Sequence, residues 1–417
     1  MNVVFPSGKQ REIRLFSLDI LRGLAACLVL FRHMPWRSAS TSLGPAGYVV
    51  NAIQEIGWCG VDLFFVLSGY LISGLLFKEL EREGNLNLYR FWLRRGLKIW
   101  PSYFVAYGTL AAVWCVVSYQ RNDDTLFHTW LESFLANGLF VQNYVPCLRW
   151  PHSWSLAVEE HFYMSLPLLL MVGAIMARRR GSAHPANWCN ALLIVGGGLC
   201  VATLLGRILS VAMDWNWSQL YYMTHTRADA LIFGIMLCCL HRYRSTVVLQ
   251  IVRFWPVLLM LPVLALGLVM FHTPEQSART STVGFTALYL SFGGLVLLAG
   301  VYPQFGQNGN WPMVFVTRPL AMIGVYSYTI YLVHSIAYEF PGTDYLRKGV
   351  LHLEEGSWAD KGLFWSLSIV GGILLSHAVE RPLLRWRERL LPNRRHLGMQ
   401  VEARNTADTS MAAAGAN

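Results

Sequence analysis

A chain of 417 residues that is 54% hydrophobic and only 14% charged falls well short of the roughly 25% charge of an average soluble domain. Together with a mean hydropathy of +0.38, that deficit assigns most of the length to membrane spans of about 20 residues each and leaves little for a separate soluble domain. The net charge of +10 and pI near 9.3 fit cytoplasmic loops and anionic lipid headgroups. They exclude a nucleic-acid partner, because no basic module interleaved with aromatics is visible. The eight cysteines lack metal-ligand spacing, so neither a metal site nor redox chemistry is expected. Cys27, Cys115, Cys200, Cys238 and Cys239 sit in apolar runs as small hydrophobes. Cys59 and Cys147 both fall on the predicted outer side, where a disulfide is open to them.

In chain order, Lys9, Arg11 and Arg14 mark a cytoplasmic tail over 1–14. The apolar run at 15–33 is interrupted by Asp19 and Arg22 and has no small-residue cleavage site after it, so it reads as an uncleaved first helix rather than a signal peptide. Further spans are predicted near 57–77, 101–119, 156–177, 191–213, 227–241, 255–271, 283–301, 319–338 and 362–380, about ten in all. The fold class is an all-α polytopic bundle over 15–391. Basic residues crowd alternate connections, as at Arg178, Arg179 and Arg180 or Arg381, Arg385 and Arg387, which puts both termini in the cytoplasm. The segments 34–56 and 120–155 are the longest outer loops and candidates for a lid or re-entrant cover. Residues 392–417 read as a disordered cytoplasmic tail. The chain shows no long internal repeat, which weakens the case for a transporter built from duplicated halves.

An ionisable side chain inside a span is costly and is read first as functional. In the first helix Arg22 and His33 are eleven residues apart, about three full turns, so they share a face and lie roughly 16 Å apart along it. Ala26 and Val29 between them leave a shallow groove for a thin chain, and Asp19 is one turn from Arg22, within reach of an ion pair. Read alone, these residues also fit a structural bridge with an interfacial histidine.

The run LDILRGLAACLVLFRH (Leu18 to His33), with its Arg-x10-His spacing, resembles the first-helix signature of the acyltransferase-3 family. GVDLFFVLSGYLI (Gly60 to Ile72), FWLRRGLKIWPSYF (Phe91 to Phe104), HSWSLAVEEHFY (His152 to Tyr163), TRADALIFG (Thr226 to Gly234), YSYTIYLVH (Tyr326 to His334) and VERPLLRW (Val379 to Trp386) follow in the family's order. The resemblance implies a membrane enzyme that moves an acyl group, acetyl first, from acyl-coenzyme A to a hydroxyl of a surface polysaccharide, lipid-linked sugar or macrolide. It implies acyl-coenzyme A as co-substrate with no permanently bound cofactor, and a multi-pass location in a bacterial inner membrane. Two departures stand out. The family's Arg-x-x-Arg reads Arg95-x-x-Lys98 here, and lysine lacks the planar two-pronged donor. Its glutamine after the paired glutamates is His161.

Arg90, Arg94 and Lys98, spaced by four, form a basic stripe if helical, with Arg95 beside them. Read alone, such a stripe fits lipid headgroups; the resemblance implies that the donor's phosphates bind Arg22, Arg94, Arg95 and Lys98. At the outer ends of their spans lie His33, Asp62, Trp154, Glu159, Glu160, Arg227, Asp229 and His334. Acyl transfer needs a base for the hydroxyl proton and a donor for the oxyanion. His33 is expected as the base, with Glu159 or Glu160 as its partner; the glutamates are about 100° apart on a helix, so one of them should face the site. Arg227 and Asp229, two apart, need partners on other helices. For Arg227 either the thioester carbonyl or a bridge to Asp62 would serve. Ser68 and Gly69 permit close approach, of a substrate or of a neighbouring helix. The rival reading is a transporter or flippase of a lipid-linked sugar or acyl carrier, whose pathway would be lined by the same residue types. Acceptor identity and oligomeric state stay open.

Overall fold

The computed structural model describes residues 15–35, 44–122, 124–145, 150–181 and 184–391. The expected tails and Cys147 lie outside them. Among the described residues the chain is helical, with no strand. In order the helices are α1 (Phe16–His33), α2 (Gly44–Ile56), α3 (Gly60–Glu83), α4 (Leu88–Arg121), α5 (Asp124–Gly138) and α6 (Trp154–Arg179). There follow α7 (Cys189–Ala212), α8 (Trp217–Tyr222), α9 (Thr224–Tyr243), α10 (Ser245–Val252), α11 (Trp255–Val269) and α12 (Phe285–Val301). The last are α13 (Trp311–Val325), α14 (Ser327–Glu339), α15 (Pro341–Asp344), α16 (Trp358–Leu375) and α17 (Arg381–Leu390). Local chemistry sets several ends. The Asn87 side chain accepts from the Arg90 N–H to start α4, and Gly84, at φ 65°, ends α3 in the left-handed conformation that a side chain resists.

Among the described residues seven stretches are long and apolar enough to cross a membrane, and nine if each of two bent pairs counts as one span. Exposed Ile194, Val195, Leu205 and Leu209 on α7 and Leu264 on α11 form the apolar exterior such a protein offers to lipid. The count falls short of about ten spans. The first reason is α1, whose eighteen residues include Asp19, Arg22 and Arg32, more charge than a lipid-facing helix carries. The second is the expected continuous span at 319–338, which breaks by 76° between α13 and α14. Such a break at membrane depth is tolerated where the chain lines a cavity rather than lipid.

The two long loops expected on the outer side are partly helical. The 34–56 segment holds α2, and 120–155 holds α5 and the single 3-10 turn Pro151–Ser153. At the centre is α3, with 72% of its most apolar window buried against 17% for α7. Its close partner is α9: a Cβ on Gly69 would lie 2.1 Å from the Leu231 carbonyl oxygen, so backbones touch there. The helix-packing alternative thus accounts for Gly69. Similarly, α1 crosses α13 where a Cβ on Gly324 would lie 1.8 Å from the Asp19 carbonyl oxygen. With α1 and α3 fixed in this way, charged side chains on their inner faces point into the bundle.

Candidate functional site

Two cavities lie along the inward face of α1. The one nearer the N-terminus of α1, called inner and its neighbour outer after the expected topology, is about 140 Å³ and is lined by Arg22 of α1, Ser68 of α3, Arg95 and Lys98 of α4, Glu159, Glu160 and Tyr163 of α6, and Tyr328 and Tyr331 of α14. The cations meet two carboxylates whose orientation is fixed by neighbours. Ser68 Oγ donates to Glu159 Oε1 at 2.5 Å, and the Tyr163 hydroxyl donates to Glu159 Oε2 at 3.2 Å. Trp100 Nε1 donates to Glu160 Oε2 at 3.2 Å, while Glu160 Oε1 is buried with no hydrogen-bond partner among the described residues. The Arg95 guanidinium lies 5.3 Å from the Tyr163 ring centroid. Both glutamates line the cavity, against the expectation of one, because it is walled by α3 on one side of α6 and by α4 on the other.

The outer cavity, about 300 Å³, is lined by Val29, Arg32 and His33 of α1, by Trp58, His152, Trp154, Trp217, Tyr221 and Tyr222, and by Glu275, Tyr331 and Ser335. The side chain of His33 is exposed to this space, and its Nδ1 donates to the Val29 carbonyl at 2.9 Å. A carbonyl only accepts, so the proton sits on Nδ1 and Nε2 carries the free lone pair. His33 therefore does not pair with Glu159 or Glu160, which face the other cavity. Its neighbours are imidazoles: ring centroids lie 4.9 Å from His334 and 6.1 Å from His152, with His152 and His334 also 4.9 Å apart. His334 is fully buried; its Nδ1 donates to the Tyr331 carbonyl at 2.6 Å, and its Nε2 has no partner among the described residues. Ser335 Oγ accepts from Trp150 Nε1 and bonds His152 Nε2, each at 2.9 Å. Among the described residues no group of three or more His, Cys, Asp or Glu side chains is arranged to hold a metal.

The remaining expected residues fall outside both cavities. Arg94 donates to the Leu391 carbonyl at 2.5 Å and to Glu388 at 2.8 Å, tying α4 to the C-terminal helix. About 100° of helical rotation from Arg95 carries it out of the cavity wall, so it is not placed to share a phosphate with Arg22, Arg95 and Lys98. Arg227 donates to Asp62 at 2.8 Å and faces the Phe285 ring at 3.8 Å. Arg207 donates to Asp229 at 2.7 Å. These buried bridges join α9 to α3 and to α7, and neither arginine reaches a cavity wall. Of the alternatives open to Arg227, the geometry selects the bridge to Asp62. Cys59 is buried.

The family profile described as an acyltransferase domain (acyltransferase 3) matches residues 15–381. The chain belongs to that family. It is 28% identical over 342 residues, 76% of its own length and 48% of the relative's, to "Putative peptidoglycan O-acetyltransferase YrhL" of Bacillus subtilis. It is 27% identical over 336 residues to the peptidoglycan O-acetyltransferase OatA of Listeria monocytogenes, with the same two coverages of 76% and 48%. The chain thus spans about half the length of these curated relatives. No solved structure matches it.

The structure thus sets a cationic chamber beside a histidine-lined one, with Val61 and Tyr331 lining both. Sequence reasoning missed His152 and Tyr331, although both lie in the runs HSWSLAVEEHFY and YSYTIYLVH. The overlooked signal was position: His152 precedes Trp154 by two residues, and Tyr331 precedes His334 by three, so both had to lie within a turn of residues already singled out. The aromatic wall of Trp58, Trp217, Tyr221 and Tyr222 carried no such signal, because aromatics are common in any apolar core.

Proposed function

We propose that this multi-pass membrane protein is an O-acetyltransferase that accepts acetyl-coenzyme A in the inner cavity and transfers the acetyl group to a glycan hydroxyl in the outer one. The observation carrying this reading is that His33, whose Nδ1 is held by the Val29 carbonyl so that Nε2 is the basic nitrogen, lines a cavity that shares Val61 and Tyr331 with the chamber of Arg22, Arg95 and Lys98. Those cations suit the phosphates of the donor. Flat faces of Trp58, Trp154, Trp217, Tyr221 and Tyr222, with Arg32 and Glu275 among them, suit a sugar ring, which needs apolar contact and a few convergent polar groups. The excess of basic residues at the Arg22 end supports a cytoplasmic donor side in a bacterial inner membrane.

In this mechanism His33 Nε2 removes the acceptor hydroxyl proton as the oxygen attacks the thioester carbonyl. The tetrahedral intermediate then expels coenzyme A as a thiolate, which takes up one proton, so ester and free thiol are the products. The two cavities, lined by α1, α6 and α14, hold the substrates in line. His334 and His152 pack against the base and limit its ring orientation. To test the assignment, purified full-length protein is given radiolabelled acetyl-coenzyme A and soluble peptidoglycan fragments. His33→Ala should lower transfer by about 10²- to 10⁴-fold, the usual worth of a general base, with unchanged yield of folded protein. A variant that transfers at the parental rate removes His33 from the mechanism.

A further inference from the structure

The reading above requires an acyl group to pass from one cavity to the other, and Val61 and Tyr331 are the residues that line both. Val61 is β-branched and lies in the first turn of α3, where a branched side chain keeps one dominant rotamer. Its neighbour Asp62 is held by Arg227, which fixes that turn. Tyr331 is different. It lies on α14, beyond the 76° break from α13, with 6% of its surface exposed.

The Tyr331 ring is fastened at its tip. Its hydroxyl donates to the His152 carbonyl at 2.6 Å and is 2.7 Å from Ser155 Oγ, which donates in turn. His152 lines the outer cavity and Ser155 the inner one, so the fastening straddles the partition. Its backbone carbonyl holds His334 Nδ1, so rotation of the ring leaves that hydrogen bond in place. We propose that Tyr331 determines acyl length and excludes water from the thioester: its ring is the partition a short acyl chain slips past, and its hydroxyl is the latch that keeps the two cavities apart.

This inference rests on the acyl-coenzyme A reading and makes separate predictions. Without the partition, water reaches the thioester carbonyl: its oxygen bonds the acyl carbon, the C–S bond breaks, and the thiolate takes the proton, giving free acid and coenzyme A. Longer acyl chains also gain room. The full-length protein in detergent is assayed for thiol release from acetyl-, butyryl- and octanoyl-coenzyme A, with and without soluble peptidoglycan fragments. Tyr331→Ala should raise the octanoyl-to-acetyl ratio about tenfold or more, since even one methylene is worth that in a fitted pocket, and should raise thiol release in the absence of acceptor. Tyr331→Phe keeps the ring and loses the latch, so it should raise acceptor-independent release and leave the length ratio unchanged. Tyr331→Leu serves if the alanine variant does not fold, with the same direction and a smaller rise. Equal loss on all three donors, with the ratios of the parent, overturns the proposal and leaves the acyl-coenzyme A reading standing. A parent protein that neither binds nor cleaves any of the three thioesters overturns both.

Discussion

Replacing Asp62 with leucine strips the Arg227 guanidinium of its carboxylate in a place where neither side chain exposes more than 1% of its surface. The bond lost is the 2.8 Å contact from Nη2, while Nε and Nη1 already lack partners among the described residues. What stays is the Phe285 ring at 3.8 Å, with Tyr221 at 5.5 Å and Trp154 at 5.7 Å; a desolvated cation–π contact is worth about 2 kcal/mol. A buried charge without its counter-ion costs about 3–5 kcal/mol, so the rings cannot hold the cation unaided. Asp62→Leu should thus lose about 3–5 kcal/mol, a large part of the stability of a typical domain. Arg227→Met should lose a similar amount, since the Asp62 carboxylate is then stranded with Oδ2 unpartnered as it is now. The pair Asp62→Leu with Arg227→Met, packed with apolar groups of similar length, should return to near parental stability, a coupling of about 3 kcal/mol or more. Thermal unfolding of the detergent-solubilised full chain measures each corner of the cycle, and thiol release from acetyl-coenzyme A measures activity in the same samples. If the double variant is as damaged as either single one, the ion pair is not what joins α3 to α9. If it is stable yet inactive, Asp62 or Arg227 acts in the chemistry, and its placement as a bridge fails.

Arg95→Ala should raise the apparent KM for acetyl-coenzyme A by about tenfold to a hundredfold, the worth of one hydrogen bond to a charged group, with kcat little changed; steady-state thiol release shows whether the loss falls on kcat instead, which would separate Arg95 from donor binding. Gly324→Ala should sharply reduce folded protein, because its new methyl would meet the Asp19 carbonyl oxygen at 1.8 Å and two backbones must part; normal yield and melting temperature by fluorescence-detected chromatography would show that α1 and α13 can separate without loss.

The common face of Arg22 and His33 was legible because helical periodicity accumulates predictably over three turns. Each side chain does open inward, into its own cavity. What periodicity could not convey is that Val61 and Tyr331 stand between those cavities, since both come from other helices. The expected pairing of His33 with a glutamate failed for a related reason. The glutamates are on the second turn of α6 and look toward α3 and α4, whereas the turn before that helix brings His152 toward His33. Hydropathy also read 319–338 as one span, being blind to a bend at Tyr326, where the backbone leaves the regular helix at ψ 7°. The basic stripe was helical as expected, but its partners divided it: Lys98 lines the cavity and Arg94 binds Glu388 of the C-terminal helix.

That bend explains why so much of the site comes from one short helix. A straight continuation of α13 could satisfy its own backbone but would carry its polar side chains along one fixed direction. After the break, α14 presents Tyr328, Tyr331 and Ser335 at spacings of three and four, so they share a face. Tyr328 donates to the Ile99 carbonyl at 2.6 Å beside the cationic chamber, Tyr331 reaches the turn before α6, and Ser335 meets His152 at 2.9 Å beside the histidines. A helix anchored at three levels moves as a unit if it moves at all. Under the proposal above, rotation of the Tyr331 ring is then the smallest motion that would join the cavities, because it breaks the contacts of one hydroxyl and leaves the bond from His334 to the Tyr331 carbonyl where it is.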